Sequence, residues 1–337
     1  MSSEIKKNIS TLISEGKLFI AQNPENNPRE LMSDKLSVTL IEHDYPGRTP
    51  AMWNSAYERS GFPGQSVMLV GDTTNVTEIL SAAKSDDRYL GGGAGVGFKD
   101  IVVHHLDELD PLAEAIGAVN LIAKTPEGNL RGYNTDGIGF RIGLEKVLAE
   151  NGDNLRDKQV LILGAGGTGN AIALALAEAG AKLTILNRTT EKAEALAERA
   201  NRFVGDTVAK AGSESDIPEA AAKSDVIINV STKGASGRFQ EFAALAPAQE
   251  GDSESNLKTS GEVLDTVQPK TIVCDVILGT EDTPTIRLAK ERGLTTIDGI
   301  PMVVNQGVEA IWIVHGDMFE ESGVSKEELH KLFSQLM

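Results

Sequence analysis

The chain has 337 residues, room for two domains at roughly 150 residues each. Its 40% apolar and 24% charged residues are the balance of a folded globular protein, and no apolar run reaches the ~18 residues that a membrane-spanning helix needs. With 32 basic against 49 acidic residues the net charge is −17, which serves solubility and speaks against nucleic acid and anionic membrane surfaces as partners.

The opening Met1-Ser-Ser-Glu-Ile-Lys-Lys lacks the apolar core of a signal peptide. Residues 1–35 are polar and weakly patterned, with Asn-Pro-Glu-Asn-Asn-Pro at 23–28 read as a loop, and are expected to form an extension without an assigned role. A strand is predicted at Leu36–Ile41, then a turn at Tyr45-Pro46-Gly47. A helix begins at Thr49, with Pro50 in its first position and Met52, Trp53 and Tyr57 as its apolar face. Another strand at Ser66–Val70 precedes a helix near Asn75–Ser85, and residues 91–97 form a glycine-dense loop. Strands alternating with helices predict an α/β domain.

A second unit opens at Lys158. The apolar run Val160–Leu163 leads directly into Gly164-Ala165-Gly166-Gly167-Thr168-Gly169, followed by an alanine-rich helix to about Ala179 and a strand at Lys182–Leu186. Further strands are predicted at Asp225–Asn229 and Thr271–Val276. Residues 246–262 read as a polar surface loop, and the tail as helices at Val304–Val314 and Lys326–Leu336.

A glycine pattern placed between a strand and a helix is a dinucleotide-binding arrangement. The glycines let the backbone approach a pyrophosphate, whose charge meets the positive end of the helix dipole. The end of the second strand decides which dinucleotide fits. An acidic residue there would bind the NAD ribose, but the chain reads Asn187-Arg188-Thr189-Thr190, with Lys192 a turn later. A guanidinium and a hydroxyl suit a 2′-phosphate, so NADP is the expected cofactor. The plainer alternative for Thr189 is a helix N-cap.

Upstream stand Ile116-Gly117-Ala118-Val119-Asn120 and Gly132-Tyr133-Asn134-Thr135-Asp136-Gly137, and near the end Asp298-Gly299-x-x-Met302-x-x-x-Gln306. With Asn187-Arg188-Thr189, in this order and spacing, they resemble the shikimate/quinate dehydrogenase family from Leu36 to about Asp317. The resemblance implies Lys99 and Asp136 as the catalytic pair, since Gly91–Lys99 takes the place of the family's Gly-x-Asn-Val-Thr-x-Pro-x-Lys phrase. It implies Asn120 and Gln306 as holders of substrate hydroxyls. The chemistry is coherent by itself: oxidising a ring alcohol by hydride transfer needs a base for the hydroxyl proton, and burial or proton sharing can make a lysine serve. A lysine and an aspartate can equally form a structural salt bridge.

Departures from the family pattern fall in the substrate pocket. Its Ser-x-Ser-Pro reads Gly47-Arg48-Thr49-Pro50, leaving Thr49 as the one hydroxyl. Its Asn, Thr and Pro in the glycine-rich phrase become Gly93, Gly95 and Gly97, and Leu278 replaces a substrate-facing Tyr. Each unsatisfied buried polar group costs roughly 1–3 kcal/mol, so efficient shikimate turnover is not expected. Either the pocket takes a different polyol acid, with Arg48 compensating for a lost carboxylate donor, or it is a non-catalytic NADP-binding or regulatory relative. Retention of Lys99 and Asp136 favours the first.

Other signals are read as structural. His104-His105 lacks metal spacing, Trp53 and Trp312 are core candidates, and Cys274 is an inert buried thiol. No metal and no internal disulfide is expected, and a single cysteine fits a reducing, cytoplasmic compartment. The expected architecture is a two-domain α/β fold. Residues 36–136, completed by about 301–337, form the substrate domain; residues 137–300 form a Rossmann NADP-binding domain, with the active site in the cleft between them. The expected partner is a small cyclic polyol acid, and a homodimer stays open.

Overall fold

The computed structural model describes residues 7–21, 31, 33–249, 251–279 and 281–337. The loop read at 23–28 and the first six residues lie outside them. The chain divides into two compact units, Met1–Thr135 with Gln306–Met337, and Asp136–Asn305.

The first unit is built on seven strands: β1 (Leu18–Ile20), β2 (Leu36–Ile41), β3 (Gln65–Gly71), β4 (Tyr89–Gly93), β5 (Glu108–Leu109), β6 (Leu121–Lys124) and β7 (Leu130–Tyr133), in the order β1-β3-β2-β4-β6-β7-β5. Strand β2 pairs in parallel with β3 and β4, and all of its residues are buried, the polar Ser37 and Thr39 included. The helix Thr49–Ser60 carries Pro50 in its first turn, ends on Gly61 at a left-handed φ of 72°, and buries Met52, Trp53, Ala56 and Tyr57.

Two segments differ from the sequence reading. Before residue 21, a helix at Ile9–Ser14, capped by Asn8, buries Ile9 and Leu12, and β1 then pairs antiparallel with β3. Elements of six and three residues are too short to show periodicity. The glycine-dense stretch is also not a loop throughout, because residues 89–93 form strand β4. Gly92 has φ 143°, and a Cβ there would lie 2.1 Å from the Val38 carbonyl oxygen, so only glycine fits against β2.

The second unit holds β8 (Gln159–Leu163), β9 (Lys182–Leu186), β10 (Ala209–Gly212), β11 (Val226–Asn229), β12 (Ile272–Asp275) and β13 (Thr295–Ile297), all parallel, in the order β10-β9-β8-β11-β12-β13. This is the doubly wound Rossmann order, with its reversal between β8 and β11. The helix Asp136–Glu150 lies close on the helix Gly167–Glu178: a Cβ at Gly137 would come within 2.1 Å of the Ala171 carbonyl oxygen.

Residues 246–262 are not simply a surface loop, since Ser253–Leu264 is a helix capped by the Asp252 side chain. Its inward face mixes Asn256 and Ser260 with the core residues Val263 and Leu264. Buried Asn256 bonds the backbone of Ala243, Ala246 and Pro247, which hides the amphipathic pattern. The first tail helix runs farther than expected, Ile300–Ser322, with a break at His315 (φ −135°), and the boundary between the units falls within it. The second is Lys326–Ser334.

Candidate active site

In the second unit a cavity of about 260 Å³ opens at the carboxyl ends of β8, β9 and β11. Gly164, Ala165 and Gly166 form one wall, Asn187, Arg188, Thr189 and Lys192 another, and Ser231, Thr232 and Lys233 a third. Gly164 adopts φ 121° and approaches Val230 and Ser231 so closely that a Cβ would sit 3.0 Å from their backbone. Gly166 and Gly167 would meet nothing within 4 Å. Their openness beside the N-terminus of the helix Gly167–Glu178 is what a phosphate requires. Gly167, Thr168 and Gly169 do not line the cavity itself; Gly169 packs instead against Gly164 and Val230.

Arg188, Thr189 and Lys192 are exposed at the cavity edge. Thr189 occupies the N-cap position of the helix Thr190–Val204, but its side chain makes no capping hydrogen bond. Asn187 Nδ2 donates to the Thr189 carbonyl over 2.9 Å and fixes the turn. The donor set suits a 2′-phosphate, and no carboxylate stands at the end of β9. Behind the cavity, Asn229 and Thr283 donate to buried Asp275 at 3.0 and 2.7 Å, tying the loops after β11 and β12 together. Burial nevertheless pushes the Asp275 carboxyl up to about 6.

Sequence reasoning missed Lys233 and Glu214. Lys233 Nζ donates to Glu214 Oε1 over 2.6 Å and to the Ala246 and Ala244 carbonyls at 2.6 and 3.4 Å. Burial draws the ammonium below the ordinary lysine range, with Glu214 acting against that. A lysine four residues past the start of a strand-end Asn-Val-Ser-Thr-Lys phrase was the only available signal.

The first unit brings another group together. Asn120 Nδ2 donates to Thr135 Oγ1 (3.0 Å) and Gln306 Oε1 (3.1 Å), while Asn120 Oδ1 accepts from the Thr135 amide at 2.9 Å. Lys99 lies within the turn after β4. Its carbonyl accepts from Val119 N, and the Asn120 carbonyl accepts from Ala94 N, both over 2.9 Å, so the turn is stitched to the Asn120 segment. Thr49 is half-buried at the helix start. Arg48 is exposed, and its guanidinium donates to the Leu336 carbonyl over 2.7 Å. Asp136 is the first residue of the second unit, where it begins the helix Asp136–Glu150. Leu278 is 52% exposed.

The substituted glycines are filled by neighbours. A Cβ at Gly47 would lie 2.6 Å from Met68 Sδ and 3.3 Å from the Tyr45 ring; one at Gly95 would lie 3.1 Å from the Tyr45 hydroxyl; one at Gly97 would lie 2.5 Å from Glu42. Tyr45, which the sequence reading treated only as a turn residue, thus occupies space beside both Gly47 and Gly95.

The second unit defines a dinucleotide-binding α/β protein of Rossmann type. Residues 146–246 match the family model described as shikimate/quinate 5-dehydrogenase, and residues 45–122 match the shikimate dehydrogenase substrate binding domain. An NADP(+) shikimate dehydrogenase from Lysinibacillus sphaericus is 32% identical over 275 residues, covering 80% of this chain and 87% of that protein. The solved 5-ketofructose reductase of Gluconobacter, in its ligand-free form, is 29% identical with a TM-score of 0.71, covering 91% of this chain and 100% of its own. Shikimate 5-dehydrogenase from Listeria monocytogenes, solved with shikimate and NAD, is 25% identical with a TM-score of 0.71, covering 85% of this chain and 95% of its own. The chain belongs to the shikimate dehydrogenase family.

Proposed function

We infer that the chain is an NADP-dependent oxidoreductase of the alcohol dehydrogenase type, acting reversibly on a ring hydroxyl or ketone of a shikimate- or quinate-like polyol carboxylate. The observation that carries this reading is the Rossmann cavity, whose edge presents Arg188, Thr189 and Lys192 in a chain that is 32% identical to an NADP(+) shikimate dehydrogenase. When bound, NADP supplies the hydride acceptor. Lys99 takes the hydroxyl proton as the alcohol is oxidised and returns it in the reverse direction, with Asp136 sharing that proton. Asn120, Gln306 and Thr49 orient the ring through its hydroxyls. Gly164 to Gly169, Asn187, Arg188, Thr189 and Lys192 hold the cofactor. Arg48 gives one Nη1 donor to the Leu336 carbonyl and would meet a substrate carboxylate with its remaining N–H donors.

The test is reduction of NADP⁺, followed by absorbance of the reduced nicotinamide, with shikimate, quinate and related ring polyols. Turnover of one of these acids supports the reading; silence on all of them, with NADPH binding intact, overturns the substrate assignment. A second reading, an uncharged keto-polyol, rests on Arg48 being held by Leu336 and on the likeness to 5-ketofructose reductase. Oxidation of NADPH by 5-ketofructose, without turnover of the acids, would decide for it.

A further inference from the structure

The dinucleotide cavity contains a polar device that phosphate binding does not use. Leu186, Ile217, Phe239, Ala244 and Ala248 give it an apolar lining suited to a flat base. Into that lining is set one carboxylate, Glu214, at the start of the short 3-10 helix Glu214–Asp216 after β10. Its Oε1 accepts from Lys233 over 2.6 Å, and no second partner engages its Oε2 among the described residues.

Lys233 is itself almost spent. Its side chain is 10% exposed, and its three protons meet Glu214 and the Ala244 and Ala246 carbonyls. It has no proton left for a ligand, so its effect on one passes through Glu214. A carboxylate held in this way accepts hydrogen bonds and donates none. Purines with an exocyclic 6-amino group offer it a donor at that position, whereas 6-oxo purines place an acceptor there and carry a donor on that edge only at N1, so a carboxylate aimed at position 6 loses its partner. Sites built to bond a specific N–H discriminate strongly against analogues lacking it.

We propose that Glu214, positioned by Lys233, reads the exocyclic amino group of the cofactor's adenine and selects 6-amino over 6-oxo purine dinucleotides. The proposal rests on the NADP reading above. Lys233 is a positioning residue that fixes the direction of the Glu214 carboxylate.

The experiment compares the Kd of NADPH with that of reduced nicotinamide hypoxanthine dinucleotide phosphate, by fluorescence titration of the full chain. The wild type is expected to favour the adenine form by roughly tenfold or more, the scale of one hydrogen bond to a charged group. In Glu214→Ala that ratio falls toward one, chiefly through weaker binding of NADPH. Lys233→Met lowers the ratio as well, because Glu214 is no longer held in place; a merely structural role would weaken both dinucleotides equally. Glu214→Gln, which keeps a carbonyl acceptor, retains part of the preference and serves if Lys233→Met fails to fold. A wild-type ratio near one, or a ratio unchanged in Glu214→Ala, overturns the base assignment alone. Failure of the wild type to bind either dinucleotide overturns the NADP reading and this proposal with it.

Discussion

Asn120 Nδ2 donates to Gln306 Oε1 over 3.1 Å, joining two amides 186 positions apart in the chain. Thr135 is bound into the same group, so Asn120 meets a ring hydroxyl only by sharing or exchanging one of these bonds, while the Nε2 donors of Gln306 are not used by the described residues. Gln306→Ala is therefore expected to raise the KM of the ring substrate by roughly 10- to 100-fold, the cost of about 1–3 kcal/mol for an orphaned hydroxyl. The KM for NADP and the melting temperature should stay near wild type. Asn120→Ala should cost stability as well, because it strands the Thr135 amide. Equal loss of stability in both variants would assign Gln306 to the fold instead.

Lys99 belongs to the first unit, and the lining of the dinucleotide cavity belongs to the second. Lys99→Ala is expected to lower kcat by roughly 10²- to 10⁴-fold, the span of general acid–base catalysis, while the NADPH titration curve stays in place. Turnover that survives the substitution would remove Lys99 from the proton's route.

Arg188 stands exposed at the cavity edge, so removing it should cost little stability. Arg188→Ala is expected to weaken NADPH binding by roughly 10- to 100-fold and leave NADH binding nearly unchanged, because only the former carries the 2′-phosphate. Parallel titrations of the two dinucleotides read the difference directly.

The nucleotide site was legible because its physics is local: a strand, a glycine turn, a helix and the residues ending the next strand all fall within 160–192. Strand β2 and the helix Thr49–Ser60 were legible for the same reason. What stayed hidden depends on partners distant in sequence. Glu214 and Lys233 meet across 19 positions, and nothing in either local phrase announces the other. The helix Ser253–Leu264 turns Asn256 inward to satisfy loop backbone, so its buried face mixes polar residues with Val263 and Leu264. The glycines at 47 and 95 looked like losses from a pocket, but the folded chain places Met68, Ile41 and Tyr45 where their side chains would be.

That last relationship has a consequence for specificity. The Tyr45 hydroxyl lies 3.1 Å from where a Gly95 Cβ would be, beside the turn that leads to Lys99. Tyr45→Phe keeps the ring that fills the space and removes only the hydroxyl. It is expected to raise the substrate KM by roughly tenfold, without moving the NADP KM. Gly95→Thr alone should be poorly tolerated, since its Cβ would also meet Ile41 at 2.7 Å. An unchanged substrate KM in Tyr45→Phe would make the tyrosine a space-filler only.

Two buried groups give opposite pH dependences. His315, with its Nε2 2.8 Å from the Tyr57 hydroxyl, is held down to about 4 by burial, below its ordinary 6.5. The unfolded chain then binds the extra proton first, so this group's contribution is complete above about pH 6.5 and is lost as pH falls toward 4. Asp275 is pushed up by burial to about 6 from 3.8, so its contribution is complete below about pH 3.8 and is lost as pH rises through 6. Between about pH 4.5 and 6 the two slopes offset. His315→Gln should therefore leave stability that declines as pH rises across this window, and Asp275→Asn stability that increases. Urea midpoints taken at several pH values give each slope independently of any overall destabilisation. If each variant keeps the wild-type slope, neither residue is titrating as its burial requires.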